Sequence, residues 1–145
     1  MLKKGLFILL AFAAVFFYFF PVYINQSASL PYTLFISLPK TRLEKEDYVV
    51  FFHPSFAKKK LVKQAKALAN DIVSIEGNVL LINDKTFTLA ASLKPRSCAI
   101  LNGSRIIPEG CFFAYASHPD SFDSRFEDFG FIELDQIESI VYPLY

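Results

Sequence analysis

Hydrophobic and polar positions divide the chain near residue 24. Lys3 and Lys4 precede an uncharged, apolar run from Gly5 to Phe20, and no charged side chain follows until Lys40. Beyond that run the apolar positions fall into short β-branched or aromatic stretches bounded by turn residues, which is strand patterning. These stretches are Tyr48 to Phe52, Asp71 to Ile75, Val79 to Ile82, Phe87 to Leu93, Cys111 to Ala116 and Ile137 to Tyr142. Gly77-Asn78 joins two of them with hairpin chemistry, because both residue types tolerate positive φ. Pro108-Glu109-Gly110 introduces the run at Cys111, and residues 21–39, with Pro21, Pro31 and Pro39, read as an extended lead-in to the sheet. The pattern predicts a mostly β domain over residues 25–145, preceded by one N-terminal transmembrane helix within residues 1–24.

One stretch is ambiguous. Lys58 to Ala69 (KKKLVKQAKALA) has residue types of high helix propensity, and propensity alone favours a helix with Lys59, Lys63 and Lys66 on a solvated face. As a strand, period-two alternation instead puts Lys63 on the side of Leu61, Ala65 and Ala67, and Lys66 with Val62 and Gln64. The difference is chemical. A lysine on an apolar sheet face loses its water, and desolvation favours the neutral amine that can act as a base.

The charge asymmetry around the apolar run orients the chain: positive residues stay on the cytoplasmic side, so the remainder faces outward. Counting Pro21 to Ile24, the run approaches the ~20 residues needed to cross a bilayer. A cleaved signal peptide, with Ser27-Ala28-Ser29 as the processing site, is the competing reading, but the run exceeds the usual signal-peptide core and is rich in phenylalanine. We therefore expect a retained anchor. Both readings export residues 25–145, which carry 13 basic and 14 acidic side chains. In such a compartment Cys98 and Cys111, thirteen residues apart around Asn102-Gly103, would suit a disulfide across a hairpin-like loop, the alternative being two buried thiols.

Composition narrows the functions. A chain of 145 residues with 53% hydrophobic and 20% charged residues is one folded unit rather than a disordered segment. A formal charge of +1 lacks the basicity of a nucleic-acid binder. Two cysteines and two histidines, without CxxC or HExxH spacing, give no metal centre, and five scattered glycines form no phosphate loop. No cofactor is expected.

Three short motifs then appear in order. Ser29-Leu30-Pro31-Tyr32-Thr33-Leu34-Phe35 follows the apolar run; Leu61-Val62-Lys63-Gln64-Ala65 is followed by Asn70-Asp71-Ile72-Val73-Ser74-Ile75; and His118-Pro119-Asp120-Ser121-Phe122-Asp123-Ser124-Arg125 precedes Phe129-Gly130-Phe131. Together they resemble the S-x-P-x-G-L-Y, L-x-K-R-V with G-D-x-V-x-I, and S-x-D-S-R boxes of conjugative-transfer (TraF-type) peptidases, a branch of the type I signal peptidase superfamily. Pro108 to Phe113 resembles the P-x-G-x-Y-F that leads into the last box. Thr33 stands where that branch prefers Gly, and Ala67 to Asn70 replace a Gly-Leu-Pro-Gly turn.

The resemblance implies a signal-peptidase-like antiparallel β domain and a serine endopeptidase with a Ser29/Lys63 dyad. It implies an oxyanion hole from the Ser29 backbone and the Ser27 hydroxyl, Ser121 orienting the lysine, and Asp123 with Arg125 as structural support. It further implies a single-pass protein of the bacterial inner membrane with a periplasmic catalytic domain. The substrate would be a membrane-tethered precursor, a pilin or signal-bearing preprotein, with pilin cyclisation as one outcome. The blander reading is a linker pair of serines and a solvated Asp-Ser-Arg turn, which would leave a non-catalytic anchored component of a secretion or conjugation apparatus. A base of the histidine type, His53 or His118, lacks an accompanying G-x-S-x-G elbow.

Overall fold

A computed structural model describes residues 2–56, 59–89 and 99–145. The chain opens with α1 (Leu2–Phe19) and continues in eleven strands: β1 (Val22–Ile24), β2 (Leu34–Ser37), β3 (Tyr48–Phe52), β4 (Lys60–Leu68), β5 (Ile72–Glu76), β6 (Val79–Ile82), β7 (Lys85–Thr88), β8 (Arg105–Ile106), β9 (Cys111–Tyr115), β10 (Ile132–Glu133) and β11 (Ile137–Pro143). Helix α1 leaves Phe7, Ile8, Phe12 and Tyr18 exposed. Among the described residues no helix is long and apolar enough to cross a membrane. Cys98, the proposed disulfide and the end of the run expected over Phe87 to Leu93 lie outside the described residues.

The strands form two antiparallel sheets, one in the order β1-β2-β11-β3-β4-β9-β10 and one in the order β7-β6-β5-β8. The lead-in of residues 21–39 is itself part of the larger sheet: Val22 to Ile24 pairs with Leu34 to Ile36, and β2 pairs onward with β11. Gly77-Asn78 closes the β5–β6 hairpin between the opposed residues Glu76 and Val79, with Gly77 at φ +61°.

The helix favoured by propensity for Lys58 to Ala69 does not form over the described part of that stretch, residues 59–69. Residues 60–68 are an interior strand, β4, hydrogen-bonded to β3 on one side and β9 on the other. Pairing along both edges satisfies the backbone, and burial between two strands outweighs a propensity difference of a few tenths of a kcal/mol per residue. Lys63 lies opposite Val49, and Val62 opposite Val50. Val49, Phe51, Ala65, Phe112 and Ala114 share one apolar cluster, against which Leu61 packs. Val62 and Val50 belong to another, with Leu30, Phe35 and Val141. A register shift between Ala65 and Ala67 carries the end of β4 into a third cluster, with Val73, Leu80 and Phe113. Lys63 thus shares a face with Leu61 and Ala65, whereas Ala67 serves a different core.

The turn from β4 to β5 lacks the glycines of the resembling family. Asn70 adopts the left-handed φ of +70° instead, a conformation asparagine tolerates better than most residues. Asp71 clamps the turn: its carboxylate accepts the Leu68 N–H at 2.8 Å, the Asn83 amide at 2.7 Å and the Lys45 ammonium at 2.8 Å. Burial alone would raise this carboxyl, but the hydrogen bonds from Lys45, Leu68 and Asn83 outweigh it and hold it below the usual range. Because the folded value is the lower one, the contribution to stability is complete above the unfolded value of ~3.9 and is lost as pH falls through the folded value. Urea unfolding at pH 7 and pH 3 should show a smaller loss of stability on acidification for Asp71→Asn than for the parent chain.

Candidate active site

Two loops and one strand build the site. The first loop, between β1 and β2, carries Ser27 and Ser29, and strand β4 carries Lys63. The second loop, after β9, carries Ser121, Asp123 and Arg125. Ser27, Ser29, Val50, Val62 and Lys63 line one cavity of about 640 Å³, with the edge strand β1 along its side.

The serine loop is closed at its base by the Asn25 N–H donating to the Thr33 carbonyl at 2.8 Å. Ser29 is only 7% exposed, and its hydroxyl lies 2.7 Å from that of Ser27. Lys63 is 5% exposed, which is rare for a lysine, and its place on β4 is on the face of Leu61 and Ala65. Its Nζ donates to Ser121 Oγ at 2.5 Å. Ser121 is itself buried, and its N–H donates to the His118 carbonyl at 3.1 Å.

Asp123 and Arg125 are buried together. Arg125 Nε donates to Asp123 Oδ1 at 2.7 Å and Nη2 to Oδ2 at 2.8 Å, a two-pronged pairing that a planar guanidinium matches well. Nη2 also reaches the carbonyls of Ala116, His118 and Ser121, while Asp123 accepts the Ala116 N–H at 3.0 Å. The guanidinium stands 5.1 Å over the Tyr115 ring. The pair therefore fixes the course of the loop from Ala116 to Ser121. That loop touches both candidate residues, because the His118 N–H donates to the Ser29 carbonyl at 3.1 Å and Ser121 receives the Lys63 amine.

The histidines are engaged elsewhere. His53 stacks on Phe129 with ring centroids 4.2 Å apart and bonds the Phe129 carbonyl at 2.9 Å. The His118 ring accepts the Asp120 N–H at 3.1 Å within its own turn, so this residue meets Ser29 through its backbone. Sequence reasoning missed Asn25, which is buried and bonds the Ser27 hydroxyl at 2.9 Å. Its signal was weak: a single asparagine two residues before Ser27, in a stretch read only as linker.

With this geometry stand the comparisons with known proteins. The family model "Signal peptidase, peptidase S26" matches residues 2–143, and the chain belongs to that family. Membership supports a serine peptidase that processes precursor proteins. Among solved structures, the chain is similar to a signal peptidase I from Enterococcus faecalis, with 19% identity and a TM-score of 0.54. The match covers 72% of this chain and 100% of that one, and shows the shared fold. No curated protein matches the chain.

Removing one member of the buried pair strands the other. Arg125→Ala should cost about 3–5 kcal/mol of stability, as an uncompensated buried carboxylate does, read as the fall in unfolding free energy in a urea titration.

Proposed function

We propose that the protein is a serine endopeptidase in which Ser29 is the nucleophile and Lys63 its general base. The observation that carries this reading is the burial of the Lys63 amine beside the cavity that Ser29 also lines. A serine hydroxyl attacks a carbonyl only when a neighbouring group takes its proton, and a lysine serves when its surroundings disfavour the charged form. The apolar face of β4 supplies that condition. Ser29 Oγ bonds to the scissile carbonyl carbon while its proton passes to Lys63. The tetrahedral intermediate collapses with that proton delivered to the leaving amine, and an acyl ester remains on Ser29. Water, or an amine of the same substrate chain, then displaces Ser29. The Ser29 N–H and Ser27 hydroxyl are the donors we assign to the developing oxyanion. Ser121 steers the amine, and Asp123 with Arg125 supports the loop that holds Ser121.

The substrate class we propose is a membrane-tethered precursor, a signal-bearing preprotein or a pilin. The order of the three boxes supports the conjugative-transfer branch of the family, in which the intramolecular amine would close a cyclic pilin. We further propose that residues 1–24 anchor the chain in a bacterial inner membrane, with residues 25–145 in the periplasm. Lys3 and Lys4 ahead of an uncharged stretch, and the exposed apolar side chains of α1, support this orientation. Anchoring enzyme and precursor to one surface raises their effective concentration.

The test is cleavage of a quenched peptide with alanine at the first and third positions before the scissile bond, the pattern of exported preproteins, by the full-length chain in detergent. Ser29→Ala and Lys63→Ala should each lower kcat on the order of 10³-fold or more. Absence of cleavage by the parent chain, or unchanged cleavage by either variant, would contradict the dyad.

A further inference from the structure

The serine loop contains a third polar side chain whose bonds fix the direction of a proton. Asn25 is 8% exposed. Its Oδ1 accepts the N–H of Ser27 at 3.3 Å and the O–H of Ser27 at 2.9 Å. Its Nδ2 donates to the Tyr32 carbonyl at 3.3 Å, which determines the end of the amide that faces the serine. A hydroxyl owns a single proton. That of Ser27 is committed to Asn25, so the proton in the 2.7 Å contact between the two serines belongs to Ser29. The result is a directed chain, Ser29 O–H to Ser27 O–H to the Asn25 carbonyl.

We propose that Asn25 is a positioning residue that sets the rotamer and the proton direction of Ser27, and through it the side-chain donor for the oxyanion. This rests on the Ser29/Lys63 reading above. In the resting protein the Asn25 carbonyl holds the Ser27 proton. When negative charge develops on the substrate oxygen, that oxygen becomes the stronger acceptor, and the Ser27 hydroxyl turns toward it by rotation about its Cβ–Oγ bond alone. That charge develops as Ser29 attacks, its proton turning from Ser27 Oγ to Lys63 in the same step. The heavy atoms of Ser27 stay in place because its backbone N–H remains on Asn25 Oδ1. Asn25 therefore acts on the transition state rather than on substrate binding, and its removal should appear in kcat and not in KM.

A double-mutant cycle separates this role from a merely structural one. The full-length chain in detergent is assayed on the same alanine-bearing peptide, with Asn25→Ala and Ser27→Ala singly and together. Loss of one oxyanion donor lowers kcat by about 10²-fold or more, which is the expectation for Ser27→Ala. Asn25→Ala should lower kcat by roughly tenfold with KM within about twofold, and should cost nothing further when Ser27 is already alanine. Equal losses in both backgrounds, or no loss in the parent background, would overturn the proposal. Asn25→Leu, which keeps the branched shape and removes the acceptor, runs through the same cycle with the same criteria, so a poorly folded alanine variant leaves the decision intact. Failure of the underlying reading shows separately, as parent-chain turnover that survives Ser29→Ala.

Discussion

Burial of one lysine amine is the constraint on which the rest of the structure depends. A lysine ammonium carries a large hydration free energy, and a strand face lined by Val49, Leu61 and Ala65 offers little in exchange. Such a position is tolerated where a hydrogen-bonding partner is fixed in advance, and here Ser121 is that partner. Everything that holds Ser121 is therefore part of the cost of placing Lys63. The loop from Ala116 to Ser121 is fastened by three of its own carbonyls to a guanidinium whose charge Asp123 balances.

The same loop reaches across to the serine turn through the His118 N–H, so the two sides of the cavity are not independent. One buried ion pair supports Ser29 and Lys63 together. The Ser29 side is also determined from within, because the Asn25 amide and the Thr33 carbonyl hold the turn between β1 and β2. Rigid support of this kind suits acyl-transfer chemistry, in which donors that are already oriented need no reorganisation as charge develops.

Much of this was legible in the sequence, and the failures have physical causes. The runs at Tyr48 to Phe52 and Val79 to Ile82 match the observed strands at both ends, because unbroken apolar runs there stop at turn or charged residues. The lysine-rich stretch misled because propensity is local. Its strand state comes from pairing with the preceding strand β3 and with β9, which lies far away in sequence, and from a bulge after Ala65 that no pattern of the strand itself announces. Strands β1 and β2 were hidden by Pro21, Pro31 and Pro39, whose turn signals dominate two short runs. Strand β7 begins earlier than the run expected from Phe87, because Asn83 takes a left-handed φ of +51° and tightens the turn after β6. The candidate site residues were found through order and spacing of short motifs, which survive even where the intervening turn residues differ. Asn25 carries its role in hydrogen-bond geometry alone, and geometry of that kind is absent from a linear pattern.

The most direct test of the account is the protonation state of the Lys63 nitrogen in the folded, full-length chain, followed by nitrogen-detected magnetic resonance across pH with Lys63 assigned by substitution. The account predicts a nitrogen that gives up its proton well below the ~10.4 at which an exposed lysine does so. A nitrogen that keeps its proton up to that pH would contradict it.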